Sequence, residues 1–240
     1  MTMKDSGYTM LSWLAAIGAA PVGELAEVAG LSEAAALRRL RLMAGDGLVE
    51  RKLLLAGAPA LWLATRRGLR AVGRTELAVQ RVSSGGFAHL LACARVARAL
   101  ERTLAGRFSV HSERELRAWE RDGPLVASAE LGFGSAPDLH RPDLVCLALA
   151  GRTLPFTIEV ELSAKAPGRL RAIVRGWARC RRVAGVVYYA TAPVARALER
   201  AIAVERAEAA VAVLDLERCG ELPGTLLAGE RSTSPIPSAP

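Results

Sequence analysis

The chain has 240 residues, of which 51% are hydrophobic and 23% charged, and its formal charge is +8. That apolar fraction is enough to build a core in one large or two small domains, and it excludes global disorder. No stretch approaches the roughly 18 unbroken apolar residues of a membrane span, so no membrane partner is expected. The N-terminus lacks the apolar run and small-residue cleavage site of a secretory signal. Cys93, Cys146, Cys180 and Cys219 form no CxxC pair, which indicates neither a zinc site nor a disulfide framework and predicts a reduced, cytoplasmic protein. Of the 32 cations 29 are Arg; the three lysines are Lys4, Lys52 and Lys165. Arg grips phosphate bidentately, which favours a nucleic-acid partner. A GC-rich genome would give the same excess, so placement has to decide.

In chain order, residues 10–18 have helical apolar spacing and stop at Gly18. Residues 22–29 form a second short amphipathic helix, followed by a turn at Gly30-Leu31. Ser32 is a good N-cap for a third helix reaching about Asp46, with Leu37, Leu40 and Ala44 inward. Gly47 ends it. Residues 48–52 and 61–65 then read as a hairpin. This order is that of a winged helix-turn-helix, whose third helix enters the DNA major groove. Its outward residues include Ser32, Arg38, Arg39 and Arg41. The hairpin loop, residues 54–60, carries no charge, so Arg66, Arg67 and Arg70 beyond it are the expected backbone contacts. Residues 69–105 are helical in pattern, interrupted by Ser83-Ser84-Gly85-Gly86, the best domain boundary in the chain. The helix after it is expected to pack on the second domain or to pair with a second copy in a homodimer.

From Phe108 the pattern is mixed: a short strand at 108–111, a helix at 112–121 capped by Ser112, strands at 125–131, 141–149 and 154–162, a helix from 167 to about 183, a strand at 185–191, a helix at 193–206 and a strand at 210–216. Gly151 starts a turn. The fold class is α/β. The chemistry sits on two adjacent strands. Glu159 and Glu161 are two apart and share a strand face, where Asp143 of the preceding strand can join them. Three carboxylates in an apolar strand need compensation by a divalent cation or by Lys or Arg. Mg²⁺, held by Asp143 and Glu159, or Mn²⁺ in its place, would activate water for phosphodiester cleavage.

Pro142-Asp143 and, after fifteen intervening residues, Glu159-Val160-Glu161, in an αβββαβ context, resemble the PD-(D/E)XK nuclease superfamily. Its motif has Lys at the third position, where this chain has Glu161; some restriction enzymes of the superfamily carry Glu there and are active. The resemblance implies Asp143, Glu159, Glu161 and Lys165 as catalytic residues, with Lys165 supplying the cation from four residues on. It also implies a helical acid near the site, Glu113 or Glu115. More narrowly, the winged helix, the Ser112–Leu116 run, His140-Arg141-Pro142-Asp143 and Glu159-Val160-Glu161-Leu162 resemble the replication-relaxation proteins of plasmids and integrative elements, over most of residues 8–216. That implies a role in replication or DNA relaxation of a mobile element, alongside replication or mobilisation proteins.

No acid lies between Leu162 and Leu198. Arg171, Arg175, Arg179 and Arg182, spaced 4, 4 and 3, fall on one helical stripe that a phosphate backbone would neutralise. His89 and His111 read as surface or packing residues and His140 as a lesser site candidate. The four Trp read as core anchors and the cysteines as small core residues. The expected organisation is a winged helix-turn-helix over 1–80, a helical linker over 81–106, a PD-(D/E)XK nuclease-like domain over 107–220 and a disordered tail over 221–240. The expected function is DNA binding in mobile-element replication, with a Mg²⁺-dependent endonuclease activity. Alternatives are a non-catalytic DNA-binding transcriptional regulator or replication accessory with a degenerate nuclease fold, and a protein-interaction adaptor.

Overall fold

The computed structural model describes residues 5–132, 138–150 and 153–224. Its first half comprises α1 (Asp5–Ile17), β1 (Ala19–Ala20), α2 (Val22–Val28), α3 (Glu33–Gly45), β2 (Val49–Lys52), β3 (Leu61–Ala64), α4 (Arg66–Ala71) and α5 (Phe87–Thr103). Local chemistry sets these boundaries. The Ser32 hydroxyl accepts from the Ala35 N–H at 3.3 Å and starts α3. Gly47, at φ +69°, lets the chain leave α3 while the Leu48 N–H bonds the Met43 carbonyl at 2.8 Å. β3 is the middle of a three-stranded antiparallel sheet, β1-β3-β2. β1 was not expected, because two alanines carry no readable alternation.

Residues 72–86 are not helical, contrary to the pattern read over 69–105. Gly73 takes φ +71° and the Arg74 N–H closes onto the Leu69 carbonyl at 2.8 Å, which stops α4. The uncharged hairpin loop has a packing reason. Leu54 and Ala58 lie against a cluster of Ala19, Leu61, Leu63 and Phe87, the last at the start of α5. α5 itself is no bridge between separate cores. One cluster contains Met10 and Leu14 of α1, Leu40 of α3 and Val96 and Leu100 of α5. It continues into Leu144, Phe156, Ile158 and Val160 of the second half.

That half comprises β4 (Phe108–Ser112), α6 (Glu113–Trp119), β5 (Ala129–Glu130), β6 (Leu139–His140), β7 (Leu144–Ala148), β8 (Phe156–Glu161), α7 (Pro167–Arg179), β9 (Val186–Ala190), α8 (Ala192–Glu205), β10 (Val211–Asp215) and a 3₁₀ turn. Its sheet has the order β10-β9-β8-β7-β4. β4, β7 and β8 are antiparallel neighbours, and β8, β9 and β10 run parallel. Parallel neighbours need crossovers, and α7 and α8 supply them. Both faces are covered. Leu144, Ile158, Val160, Val187 and Tyr189 face the cluster holding α1 and α5. Val145, Val186, Tyr188 and Ala190 face Leu170, Ile173, Val174 and Trp177 of α7 and Leu198 of α8. The chain is thus a mixed α/β protein, with N-terminal helices on a small antiparallel sheet and a C-terminal mixed five-stranded sheet.

Several expected boundaries move for stated reasons. The run 125–131 yields only β5, because the N–H groups of Val126, Ala127 and Ser128 all point at the buried Glu120 carboxylate, at 2.9, 3.1 and 3.2 Å. β7 begins after Pro142, which has no N–H for a ladder. α7 ends at Arg179, four residues short of the expected Val183, because the chain turns so that the Ala184 N–H can bond the Pro155 carbonyl at 2.7 Å. The expected tail starts too early: the Tyr189 hydroxyl donates to the Glu221 carbonyl, and Leu222 packs on the core. The turn at Gly151 and the tail from 225 onward lie outside the described residues. Among the described residues no helix is long and apolar enough to cross a membrane.

The halves are joined by hydrogen bonds as well as by packing. The Ser112 hydroxyl donates to the Ala16 carbonyl at 2.6 Å. The Arg114 guanidinium donates to the Ala15 carbonyl at 2.6 Å and to the Ala78 carbonyl. Burial pulls the Arg114 pKa down to about 10, still charged at neutral pH, and the cation sits at the C-terminal end of α1, where the helix dipole favours it.

Gly68 is the tightest point of the first half. Thr65 caps α4 by accepting from the Gly68 N–H at 3.0 Å and donates to the Gly47 carbonyl at 2.6 Å. A Cβ on Gly68 would stand 2.0 Å from the Leu48 carbonyl oxygen, and backbone cannot yield as a side chain can. Gly68→Ala is therefore expected to lower stability by at least about 1–3 kcal/mol in urea unfolding, whereas Gly45→Ala, with open space around its Cβ, is expected to cost nothing measurable.

Candidate functional site

The expected carboxylates do meet, at one cleft of about 320 Å³ that Glu113, Arg117, His140 and Lys165 also line. Their positions follow from register. β7 and β8 pair through Leu144↔Ile158, so the next residue back, Asp143, reaches β8 beside Glu159. In place of a further ladder bond the Asp143 side chain itself accepts from the Val160 N–H, at 2.7 Å through Oδ2. Its Oδ1 lies 2.9 Å from His89 Nε2 of α5. That bond, opposed by burial, raises the His89 pKa.

Glu159 is only 4% exposed, on the face of β8 turned toward α7. Its Oε1 lies 2.7 Å from His140 Nε2 and accepts from the Trp177 indole N–H at 3.2 Å. Burial raises the Glu159 pKa, and the His140 contact works against it. Glu161 is ion-paired with Lys165. Compensation for the buried carboxylates was expected from a metal or from Lys and Arg. Here His89, His140 and the Trp177 indole carry most of it. Glu159 Oε2 and Glu161 Oε1 have no donor among the described residues, so oxygen ligands are left for a hard divalent cation.

Of the two helical acids, Glu113 lines the cleft, paired with Arg117. Glu115 turns away into a buried cluster with Arg74 Nη2 at 2.7 Å, His111 Nδ1 at 3.4 Å and the Ser112 N–H at 3.1 Å. It closes a capping box with Ser112.

The arginine stripe is not a stripe. Arg171, Arg175 and Arg179 lie on α7, but Arg182 falls in the turn beyond it and bonds the Ser128 carbonyl at 2.8 Å and Glu130 at 3.0 Å. Arg175 forms a two-pronged pair with Glu205 of α8, at 2.7 and 2.8 Å. The acid absent from the local sequence is supplied by other elements. On α3 the picture differs. Arg38 and Arg41 are exposed and Arg39 half-buried; none of the three has an ion pair or hydrogen bond among the described residues, nor does Arg67. Ser32 is occupied as a cap, and Arg66 Nη1 bonds the Leu77 carbonyl at 2.9 Å.

Sequence reasoning missed His89 and Cys93. They stand four apart on α5, and Cys93 Sγ lies 3.4 Å from His89 Nε2. The spacing was a usable signal, because residues i and i+4 share a helix face. What was not visible is that this face meets Asp143. Compared with known proteins, the chain matches no family model and no curated protein.

For Glu115, burial alone would raise the carboxyl, but the bonds from His111, Arg74 and the Ser112 N–H outweigh it and hold the pKa below its ordinary 4.5. A depressed carboxyl contributes stability that is complete above its unfolded pKa and is lost as pH falls through the folded one. The urea midpoint is expected to fall as pH drops below about 4.5, and Glu115→Gln is expected to flatten that slope while lowering the midpoint at pH 7.

Proposed function

We propose that the chain is a DNA-binding protein of plasmid or mobile-element replication or relaxation. In this reading α1–α4 with the small sheet form a winged helix-turn-helix, and the C-terminal half is a PD-(D/E)XK-like nuclease domain. The observation that carries it is the meeting of Asp143 and Glu159 across β7 and β8 in one cleft with Glu161 and Lys165. In chain order the elements run α5, β4, α6, the β5–β6 ribbon, β7, β8, α7 and β9, so the antiparallel strands of the sheet are β4, β7 and β8, with α6 and the ribbon inserted after β4. A second support is the unpaired set Arg38, Arg39 and Arg41 on α3, on the helix such a fold lays in the major groove. The loop between β2 and β3 is turned onto α5, so grip on the backbone falls to these arginines and Arg67.

Asp143 and Glu159 are the residues that would hold Mg²⁺, and Mn²⁺ could replace it. When bound, such an ion supplies an activated water and stabilises charge on phosphorus. The protein's own part is positional. His140 and Trp177 fix the Glu159 carboxylate, the Val160 N–H fixes Asp143, and Glu161 holds Lys165 at the cleft. Arg171 on α7 is exposed as well.

A non-catalytic DNA-binding regulator or replication accessory is the second reading. It is favoured by one observation: both Asp143 oxygens already accept from protein donors, an arrangement that is complete without an ion.

The test has two parts. In fluorescence anisotropy with duplex DNA across a salt series, Arg38→Gln/Arg39→Gln/Arg41→Gln is expected to weaken binding and to reduce the slope of log K against log salt by about 2–3. No DNA affinity in the wild type at moderate salt would sink the proposal. Incubation of supercoiled, linear and single-stranded DNA with Mg²⁺ or Mn²⁺ is expected to give cleavage that Asp143→Asn abolishes. Binding without cleavage in both proteins would select the second reading.

A further inference from the structure

We propose that His89, Cys93 and Asp143 form a binding site for a divalent transition cation of borderline softness, Zn²⁺ first among them. The inference goes beyond DNA binding and does not rest on it.

The three side chains come from two rigid elements. His89 and Cys93 lie one turn apart on the 17-residue α5, and Asp143 stands at the entry of β7. Their ligand atoms all lie within 4.8 Å of one another. Both short separations converge on the atom that would ligate: His89 Nε2 is 2.9 Å from Asp143 Oδ1 and 3.4 Å from Cys93 Sγ. Zinc bonds of roughly 2.0–2.3 Å put neighbouring tetrahedral ligands about 3.3–3.8 Å apart. An ion would enter by opening the His89–Asp143 contact by about half an ångström, displacing its hydrogen, and bringing Cys93 Sγ and the Asp143 carboxylate, which lie within 4.8 Å, to tetrahedral ligand spacing.

The donor types select the ion. Thiolate and imidazole suit Zn²⁺, Co²⁺ and Fe²⁺ and are poor ligands for Mg²⁺, which prefers oxygen. Charge balances as well. Coordination releases the Cys93 thiol proton to solvent; the resulting thiolate and the Asp143 carboxylate together offset the two positive charges, and His89 ligates through Nε2 as the neutral ring with its one proton on Nδ1, any second ring proton leaving to solvent. Three protein ligands leave a fourth position, the pattern of zinc sites that keep one place for water or substrate. The His89 side chain is 41% exposed and, with Asp143, lines the cleft that Glu113 and Lys165 also line, so an ion would reach the site from there. The other cysteines do not share this setting: Cys146 and Cys180 are buried, and Cys219 lies in the 3₁₀ turn's cap.

The experiment is titration of the full chain with Co²⁺ under reducing, metal-free conditions. The expected result is one equivalent bound, with a thiolate-to-cobalt charge-transfer band in the near ultraviolet that Zn²⁺ displaces. Cys93→Ser is expected to abolish the band and His89→Gln to weaken cobalt binding at least about tenfold. Zn²⁺ is expected to raise the Tm of the wild type by mass action and to leave that of Cys93→Ser unchanged. Glu159→Gln is expected to keep the band, which distinguishes this site from the magnesium pair of the proposed nuclease, with which it shares Asp143. Absence of the band in the wild type overturns the proposal, whatever the variants do. So does a band that survives Cys93→Ser, because its thiolate would then come from another cysteine.

Discussion

A carboxylate removed from water must find donors, and Glu159 sets that condition for the second half of the molecule. It occupies the middle of a six-residue strand buried along its whole length. A buried acceptor left unpaired costs roughly 1–3 kcal/mol, and an unpaired charge more. Its donors come from both directions: His140 from β6 on one side and Trp177 from α7 on the other. Among the described residues β6 pairs only with the two residues of β5, so its hold on the sheet depends heavily on that histidine. The crossover helix α7 is likewise registered against β8 by an indole bond within an otherwise apolar interface. The packing that covers the sheet and the polarity of the cleft are thus two sides of one arrangement.

Much of this was legible. Ser32 and Gly47 mark the ends of α3 through chemistry that acts within a few residues. The apolar runs of β8 and β9 announce strands covered on both faces, and the two-residue spacing of Glu159 and Glu161 places them on one face by strand geometry alone. What was hidden depends on groups far apart in sequence. Glu120 draws in three N–H groups that alternation assigned to a strand. Glu205 reaches back thirty residues to Arg175, and Glu130 reaches forward fifty-two to Arg182. Position on a helical wheel says nothing about acids arriving from other elements. His89 was hidden for the same reason, since its role depends on which strand entry its helix face meets.

The two arginine sets consequently have different weights. On and after α7, Arg169, Arg175 and Arg182 are tied to Asp138, Glu205 and Glu130 and brace α7 against α8 and the β5–β6 ribbon. On α3 the guanidinium groups carry no such duty. A bulk charge of +8 conceals this division between cations that hold the fold and cations left free to meet a partner.

The bonds of Ser112 and Arg114 across the two halves end on main-chain carbonyls of residues 15, 16 and 78. Every amino acid carries that acceptor. The specification of these bonds is therefore one-sided: positions 112 and 114 hold it, and the acceptor residues answer only to the space around them. Residue 16 can drift through the small side chains, and 78 more widely, without dissolving the connection. A change at 114 would release two backbone segments at once. Main-chain carbonyls also do not titrate, so these bonds, unlike the ion pair of Glu115 with Arg74 beside them, bring no acid dependence of their own to the connection.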